Sequence, residues 1–263
     1  MDLEAKSLIA SHAANPARML LMVAVASFTI NDMLDAFLAE QRARLSESTF
    51  WRYDGVIDCF RSMLDQYAYT DLDKAEQALW EKRFNEDELE GSFCNTFGPE
   101  KITSGHAEEF CGYFMIRKVM GPQDMINATG TVLKKLVAWM VEHDHVDPET
   151  AKAIKLTATR AAKLLPAAEK LNVALREVTP RLFDDPPVVV GPIHELGPAT
   201  ISRVEPGKLW FTDDEGTEYG PIDVPAAATD IAQPGWEIGW LAIGQLQSAE
   251  WRILEIGFVY PDI

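Results

Sequence analysis

The chain has 263 residues, of which 47% are hydrophobic and 25% are charged, and its formal net charge at pH 7 is −17. This length suits about two domains, and this composition suits a globular protein that buries a core. The acidic balance argues against a protein whose whole surface binds nucleic acid, although it leaves room for a local basic patch.

The acidic residues are concentrated toward the C-terminal end. From Phe183 onward there are 14 acidic and 3 basic residues, a net of −11, whereas the first 182 residues hold 27 and 21, a net of −6. Any contact with phosphate is therefore expected from the first part. The same asymmetry suggests autoinhibition as a hypothesis, in which the acidic part folds against basic clusters and masks them.

The cysteines and the N-terminal residues bear on where the protein works. Cys59, Cys94 and Cys111 are too few and too widely spaced for a disulfide framework, which predicts a cytoplasmic protein. The apolar run at residues 19–28 is too short to span a bilayer, and the acidic leader before it argues against a signal peptide. We therefore expect no membrane partner, and interpret residues 1–29 as an extension, either a core-packing helix or residues preceding the true start.

Apolar spacing predicts three helices in the first third of the chain. Residues 30–44 carry apolar side chains at the i, i+3, i+4, i+7 and i+8 positions of one helix face. A second helix is expected to begin after a serine cap at Ser46 or Ser48, and a shorter third helix to end near Phe84. Residues 85–105 are polar and glycine-containing, and they are predicted to form an extended loop.

Three further helices are predicted before the pattern changes. Residues 106–120 and 124–142 have helical apolar spacing, and a Gly-Pro pair separates them. The sequence Asp147-Pro148-Glu149 is typical of a helix start, with a capping aspartate and a proline in the first turn. That helix is predicted to continue to Pro166, which kinks or restarts it.

A linker and a β-region follow. Residues 179–187 hold three prolines and an acidic pair, and beyond them the apolar period becomes that of strands. About five short strands suggest a small all-β barrel, SH3-like or OB-like, after a helical N-terminal domain. The predicted strands are residues 199–205, 209–211, 219–224, 237–246 and 251–260. The predicted parts are an extension (1–29), a helical domain (30–178), a linker (179–187) and a β-domain (188–263).

The sequence carries no motif for catalysis or cofactor binding. It has no G-x-S-x-G, no P-loop and no G-x-G-x-x-G, and no carboxylate pair is distinctive in so acidic a chain. His143 and His145, and the set Cys94, His106 and Cys111, have metal-ligand types without the close spacing of a zinc site. We therefore expect no cofactor, no metal and no catalytic role, and keep an enzyme lacking these motifs as an alternative.

Four of the seven tryptophans fall in the predicted β-domain. A small barrel needs bulky side chains in its core, which is the favoured interpretation of these residues. Because glycines interleave with them, Trp210, Trp236 and Trp240 are also candidates to line a groove for a protein partner. The scarcity of basic residues nearby argues against a nucleic-acid groove there.

Two stretches resemble the N-terminal core-binding domain of tyrosine recombinases, a SAM-like helical domain. The first is residues 30–69, with FL near the end of one helix, then LSESTFWRY, then a helix with an aromatic residue at Phe60. The second is residues 108–146, with FCGYFMIRKV, a threonine near the next helix start, and LVAWMVEHDHVDPE. Together they cover roughly residues 30–150.

The resemblance implies a helical clamp that grips one face of duplex DNA, chiefly through phosphate. The contacts that it implies are Arg44, Ser46, Thr49 and Arg52 around the second helix start, with Lys134 and Lys135 on the long helix. For each basic cluster the alternative is a solvated, charged helix face. The family's catalytic Arg, His-x-x-Arg and Tyr have no counterpart in the β-region, so strand exchange is not expected.

Two functions follow as hypotheses. The first is a non-catalytic DNA-binding protein that uses the recombinase-like helices, with the β-domain contacting a protein partner or a second copy of the chain. The alternative is a protein–protein interaction module that has lost DNA binding.

Overall fold

The computed structural model describes residues 28–119, 122–180 and 189–263, and shows helices followed by an eight-stranded sheet. Residues 1–27 of the expected extension and 181–187 of the expected linker lie outside this description. No helix within the described ranges has the length and apolarity needed to cross a membrane.

The elements are labelled in chain order, and short 3₁₀ turns lie at Ala68–Asp71 and Pro99–Lys101. The helices are α1 (Ile30–Arg44), α2 (Glu47–Tyr67), α3 (Lys74–Glu86), α4 (Phe93–Thr96), α5 (Ser104–Glu109), a π-helix (Phe110–Phe114), α6 (Met115–Arg117), α7 (Gln123–Glu142), α8 (Pro148–Arg176) and α9 (Ala226–Thr229). The strands are β1 (His194–Leu196), β2 (Ala199–Glu205), β3 (Lys208–Thr212), β4 (Glu218–Asp223), β5 (Glu237–Ile238), β6 (Leu241–Gln245), β7 (Trp251–Ile256) and β8 (Val259–Tyr260).

The described residues fall into two compact units. The first consists of the described residues up to Leu45 together with Phe60–Ile102. The second consists of Ser46–Cys59 and the described part of Thr103–Ile263. Helix α2 thus contributes its first part to the second unit and its last part to the first unit.

In the first unit, the predicted helix over residues 30–44 is confirmed as α1. Thr29 caps it, because its hydroxyl accepts from Asp32 N while the Asp32 carboxylate accepts from Thr29 N. Helix α1 packs on α4, and Ile30 N donates to Phe97 O at 2.9 Å. The apolar stripe read from the sequence is the buried face of α1.

The prediction of an extended loop over residues 85–105 is wrong. This segment contains α4, which Ser92 caps, and a 3₁₀ turn, and its Phe93, Cys94 and Phe97 side chains are buried. Its helical pieces are three or four residues long, so the apolar residues are too few to show a helical period. Tertiary packing supplies the order that the local pattern does not reveal.

The predicted start of α8 is confirmed. Asp147 accepts hydrogen bonds from Glu149 N and Thr150 N, both at 3.0 Å, and Pro148 occupies the first turn, where no N–H is needed. Of the two expectations for Pro166, a restart of the helix is wrong, because α8 continues through it as one helix of 29 residues. A kink at Pro166 stays a prediction.

Helix α8 turns back along α7, and the two helices approach closely at Gly130. A Cβ atom at Gly130 would lie 2.2 Å from Ala162 N and 2.4 Å from Ala158 O. Only glycine therefore allows the backbones of α7 and α8 to lie this close.

The sheet has the strand order β1-β6-β7-β4-β3-β2-β5-β8. Its pairs are antiparallel except β4 with β7, which are parallel and joined at Ile222 and Trp251. Strands β1 and β8 stand at the two ends, and no pairing joins them within the described residues. The strands therefore form an open sheet, and not a barrel closed by backbone pairing.

Each of the five predicted strands is present, but the fourth and the fifth are both divided. The dipeptide Gly239-Trp240 separates β5 from β6, and Gly257-Phe258 separates β7 from β8. These two strand breaks lie side by side, since Gly239 N donates to Phe258 O at 2.9 Å and Gly257 N to Trp240 O at 2.7 Å. The additional strand β1 has three residues, too few to show an alternating pattern.

The C-terminal half of α8 and the sheet share one hydrophobic core. Asn172 of α8, itself buried, donates from Nδ2 to Gly257 O at 2.6 Å and so holds the helix to a strand break. The core combines residues from α8 with inward-facing residues from the strands. They include Ala168, Leu171, Ala174, Leu175, Ile201, Leu209, Phe211, Ile222, Trp236, Ile243 and Ile253.

Candidate functional site: an aromatic groove

Aromatic side chains gather in an open groove beside the two strand breaks. Tyr113, Trp240 and Phe258 are each 38% exposed, and Tyr260 is half-buried among them. The groove has a volume of about 690 Å³, and we refer to it as the aromatic groove. Its other lining residues are Arg117, Pro198, Glu237, Gly239, Glu255, Ile256 and Gly257.

Glycines beneath two of the rings set the shape of the groove. A Cβ atom at Gly197 would lie 2.9 Å from Cε3 of Trp240, and one at Gly239 would lie 2.7 Å from Cε2 of Tyr260. Real Cβ atoms essentially never approach so closely. The rings of Trp240 and Tyr260 can therefore lie against the backbone only because these positions lack a side chain.

The helical wall of the groove comes from the π-helix and α6. Tyr113 lies in the π-helix and Arg117 ends α6. The rings of Tyr113 and Tyr260 are nearly parallel, with 16° between their planes and 6.4 Å between their centroids. Because π-helical turns occur disproportionately at functional sites, this irregularity is a further sign that the groove has a role.

The groove carries more negative than positive charge. Glu237 and Glu255 are exposed at its sheet side, and Arg117 is exposed on its helical wall. No ion pair joins any of these three side chains to another within the described residues. Burial raises the pKa of the Tyr260 hydroxyl, while the nearby Arg117 acts in the opposite direction. Tyr260 is thus a neutral hydrogen-bonding group at physiological pH.

The lining residues offer several kinds of group for binding a ligand. The lining contains no serine, cysteine or histidine. It offers aromatic faces, the Trp240 indole N–H, two tyrosine hydroxyls and three charged groups. This combination suits recognition of a ligand that is apolar along its length and polar at its edges.

The three tryptophans expected to contact a partner lie in different environments. Trp236 is 1% exposed and belongs to the sheet core, as the core-filling interpretation expects. Trp210 is 6% exposed, and the Arg203 guanidinium covers its ring, with Cζ 3.8 Å from the ring centroid. Of the three, Trp240 alone lies in the aromatic groove.

The first group of expected DNA contacts lies at the end of α1 and the start of α2. Arg44 is exposed, and its Nε and Nη2 donate to Gln41 Oε1 at 3.2 and 3.0 Å. The hydroxyls of Ser46 and Thr49 are 2.9 Å apart, so they are hydrogen-bonded to each other in the first turn of α2. DNA binding by these residues stays a prediction.

The remaining expected DNA contacts are Arg52 on α2 and a pair of lysines on α7. Arg52 of α2 forms an ion pair with Asp124 at the start of α7, with 3.2 Å between Nε and Oδ2. Lys134 and Lys135 lie ten or more residues further along that helix, roughly 15 Å away at 1.5 Å per residue. Arg52 and the lysine pair therefore do not form one cluster, and Asp124 offsets the Arg52 charge.

No protein-family model, no curated protein and no solved structure matches this chain.

Within residues 28–119, 122–180 and 189–263, no group of three histidine, cysteine or acidic side chains is placed to hold a metal ion.

Four groove residues were not predicted as partner-binding residues from the sequence: Tyr113, Arg117, Phe258 and Tyr260. The sequence around Tyr113 and Arg117 has the pattern of an ordinary α-helix, because a π-helical turn has no recognisable period of its own in the sequence. A signal did exist for Phe258, since Gly239-Trp240 and Gly257-Phe258 are the same glycine–aromatic pair in two predicted strands. Glycine inside a strand pattern indicates an interruption or a close approach.

Proposed function

We propose that this chain is a non-catalytic protein-interaction module whose aromatic groove binds an extended segment of a partner protein. The observation that carries the proposal is the convergence of three exposed rings and a fourth, half-buried ring over a glycine floor. Exposed rings that meet in one concavity are typical of protein-interaction sites, whereas isolated exposed apolar residues are ordinary.

An extended segment fits better than a globular partner surface. The groove is a concavity between a helical wall and a sheet wall, and a flat partner surface does not reach its floor. Aromatic side chains in such a groove give large contact area at low cost in conformational entropy, because each ring has two side-chain torsions. We therefore expect a linear peptide to reproduce the interaction.

A selection experiment tests this function. A random peptide display library is panned against the full chain and, in parallel, against the Trp240→Ala variant. We expect peptides that bind the native chain and bind Trp240→Ala at least about tenfold more weakly, because Trp240 is an exposed ring that lines the groove. Trp51→Ala is the matched control, since Trp51 is also exposed but does not line the groove. Selection of no such peptide contradicts the proposed function.

DNA binding is a second candidate, favoured by a feature of α8. Lys152, Lys155, Lys163 and Lys170 are exposed, and at 100° per residue they fall within about 80° of one another around the helix. No ion pair involves them in the part of the chain that the structure describes. In an acidic protein, a lysine stripe about 27 Å long with no paired acids favours phosphate binding on this face.

Anisotropy titrations of labelled duplex DNA at several salt concentrations test this candidate. The triple variant Lys152→Gln, Lys155→Gln, Lys163→Gln is expected to bind more weakly and with a shallower salt dependence. The double variant Arg44→Ala, Arg52→Ala tests the recombinase-like face in the same assay. Equal binding by the native chain and both variants removes both faces from consideration.

The finer fold types are part of the proposal. Helices α1, α2 and α7 lie where the resemblance expects helices, which supports a SAM-like, recombinase-related origin for the helical residues. The consecutive antiparallel strands β2, β3 and β4 support a curled, SH3-like or OB-like sheet whose end strands stay apart.

A further inference from the structure

Resting on the proposed function, we propose that the aromatic groove takes a proline-rich segment in the polyproline II conformation with a basic side chain beside its prolines. Three independent features of the groove support this ligand: its backbone hydrogen bonds, its rings and its charge.

Several backbone groups at the two strand breaks are already hydrogen-bonded. Gly239 N and Gly257 N already donate across the strand breaks to Phe258 O and Trp240 O. Gly257 O also accepts from the Asn172 side chain. A ligand that adds a β-strand needs unpaired backbone groups, and these groups are already paired. A polyproline II segment makes no backbone ladder, and its prolines have no N–H to satisfy.

The rings provide what such a segment needs. Prolines in polyproline II conformation dock between aromatic side chains, and the preformed helix loses little entropy on binding. Tyr113 and Tyr260 lie nearly parallel to each other, and Trp240 and Phe258 line the adjoining part of the groove. The indole N–H of Trp240 and the tyrosine hydroxyls are donors suited to the ligand's unpaired carbonyl oxygens.

The charge of the groove favours a basic residue beside the prolines of the ligand. Glu237 and Glu255 both line the sheet side, against the single guanidinium of Arg117 on the helical wall. This excess of carboxylate favours an arginine or lysine on the ligand over an acidic residue. The chain's net charge of −17 steers a basic ligand in the same direction.

Fluorescence anisotropy on the full chain with four labelled peptides tests the proposal. The first peptide has a proline at every third position and one terminal arginine. The second has the prolines replaced by alanine, and the third has the arginine replaced by glutamate. The fourth is a proline-free peptide with one trimethyl-lysine, which tests the alternative that the rings bind a quaternary ammonium group. We expect the first to bind, the second to bind at least about tenfold more weakly, and the third to bind several-fold more weakly at low salt.

Protein variants locate the site. Trp240→Ala is expected to weaken binding of the first peptide about tenfold or more, with Trp51→Ala as its control. The double variant Glu237→Gln, Glu255→Gln is expected to remove the preference for arginine over glutamate while proline-dependent binding is kept. Glu195→Gln, Glu250→Gln is the matched control, since both residues are exposed and lie outside the groove. Circular dichroism of each variant confirms that it is folded.

The outcomes separate this inference from the proposed function. If the alanine or the trimethyl-lysine peptide binds as tightly as the proline-rich one, the proline-rich ligand is wrong while the groove still binds peptides. The same holds if no designed peptide binds but the display library yields peptides that depend on Trp240. If neither the designed peptides nor the library yields a ligand sensitive to Trp240→Ala, both are wrong.

Discussion

The glycines under the aromatic rings are the residues on which the groove most depends. Gly239 has no positive φ, so its backbone accepts an alanine, but the new methyl group would meet the end of the Tyr260 ring. That ring is the tip of a movable side chain and is half-buried, so it can swing away at small cost. A substitution at Gly239 can therefore change the shape of the groove without greatly changing the stability of the fold.

Gly239→Ala is accordingly expected to weaken peptide binding about tenfold while changing the free energy of unfolding by less than about 1 kcal/mol. Isothermal titration with a selected peptide and thermal melts measure the two quantities. Gly105→Ala is the control, because the nearest atom to its new methyl group is at an ordinary contact distance of 3.5 Å. A large loss of stability with Gly239→Ala would show that Tyr260 is instead part of the packed structure.

Cys111 shows how burial alone sets the chemistry of a residue. Its side chain is fully buried, and loss of solvation raises the pKa of the thiol to about 12. The unfolded chain releases this proton near pH 8.5, so the folded state holds it more tightly. The stabilising contribution is complete below about pH 8.5 and is lost as the pH rises toward 12.

Unfolding by urea at pH 8, 9 and 10 tests this linkage by comparing the native chain with Cys111→Ala. Above pH 8.5 the native chain is expected to lose up to about 1.4 kcal/mol per pH unit more than the variant, which has no thiol to ionise. Cys111→Ala is expected to be less stable at pH 7, but this constant difference does not affect a comparison of how the unfolding free energy of each protein changes with pH. Parallel pH slopes for the two proteins would mean that the Cys111 thiol is not as protected as its burial indicates.

At the scale of elements, the contact between α7 and α8 depends on the absence of a side chain at Gly130. Alanine is intrinsically better in a helix than glycine by roughly 1 kcal/mol. Here the added methyl group would overlap backbone atoms of Ala158 and Ala162, which cannot move without separating the helices. Packing and helix propensity thus act in opposite directions, and overpacking is the larger effect.

Gly130→Ala is therefore expected to destabilise the protein by about 1–3 kcal/mol, measured by chemical denaturation. Gly112→Ala is the matched helical control, because no atom lies within 4 Å of its new Cβ. It is expected to be neutral or stabilising by up to about 1 kcal/mol. Equal effects of the two substitutions would contradict the close approach of α7 and α8.

At the scale of the whole molecule, α8 links the helical region to the sheet. Its first half packs along α7, and its second half places Leu171 and Leu175, both fully buried, in the core of the sheet. The lysine stripe stays exposed on its outer face, and Arg160 pairs with Asp262 near the end of the chain at 3.2 Å. Truncation of the chain between the helices and the strands therefore removes part of a core that both share.

A chain that ends at Pro180 is expected to be markedly less stable than the full chain, because it exposes both leucines. Burial of each leucine contributes about 2 kcal/mol. Circular dichroism at 222 nm during heating is the measurement, and a lower or non-cooperative helical transition is expected. The same shortened chain with Leu171→Gln, Leu175→Gln serves as the comparison. If the shortened chain melts like the full one, the helices do not depend on the sheet.

Elements whose patterns are long and local can be predicted from the amino-acid sequence alone. The stripe of α1, the Asp147 cap of α8 and the alternation of β2 depend on neighbours within a few residues, so they are visible without any tertiary information. The packed segment over residues 85–105, the division of two strands and the gathering of Tyr113 with Trp240 and Tyr260 depend instead on tertiary contacts. The packed segment needs distant partners, such as Ile30 N, which donates to Phe97 O. The groove joins residues more than a hundred positions apart in sequence, and the strand breaks depend on glycines whose role appears only when a ring lies above them.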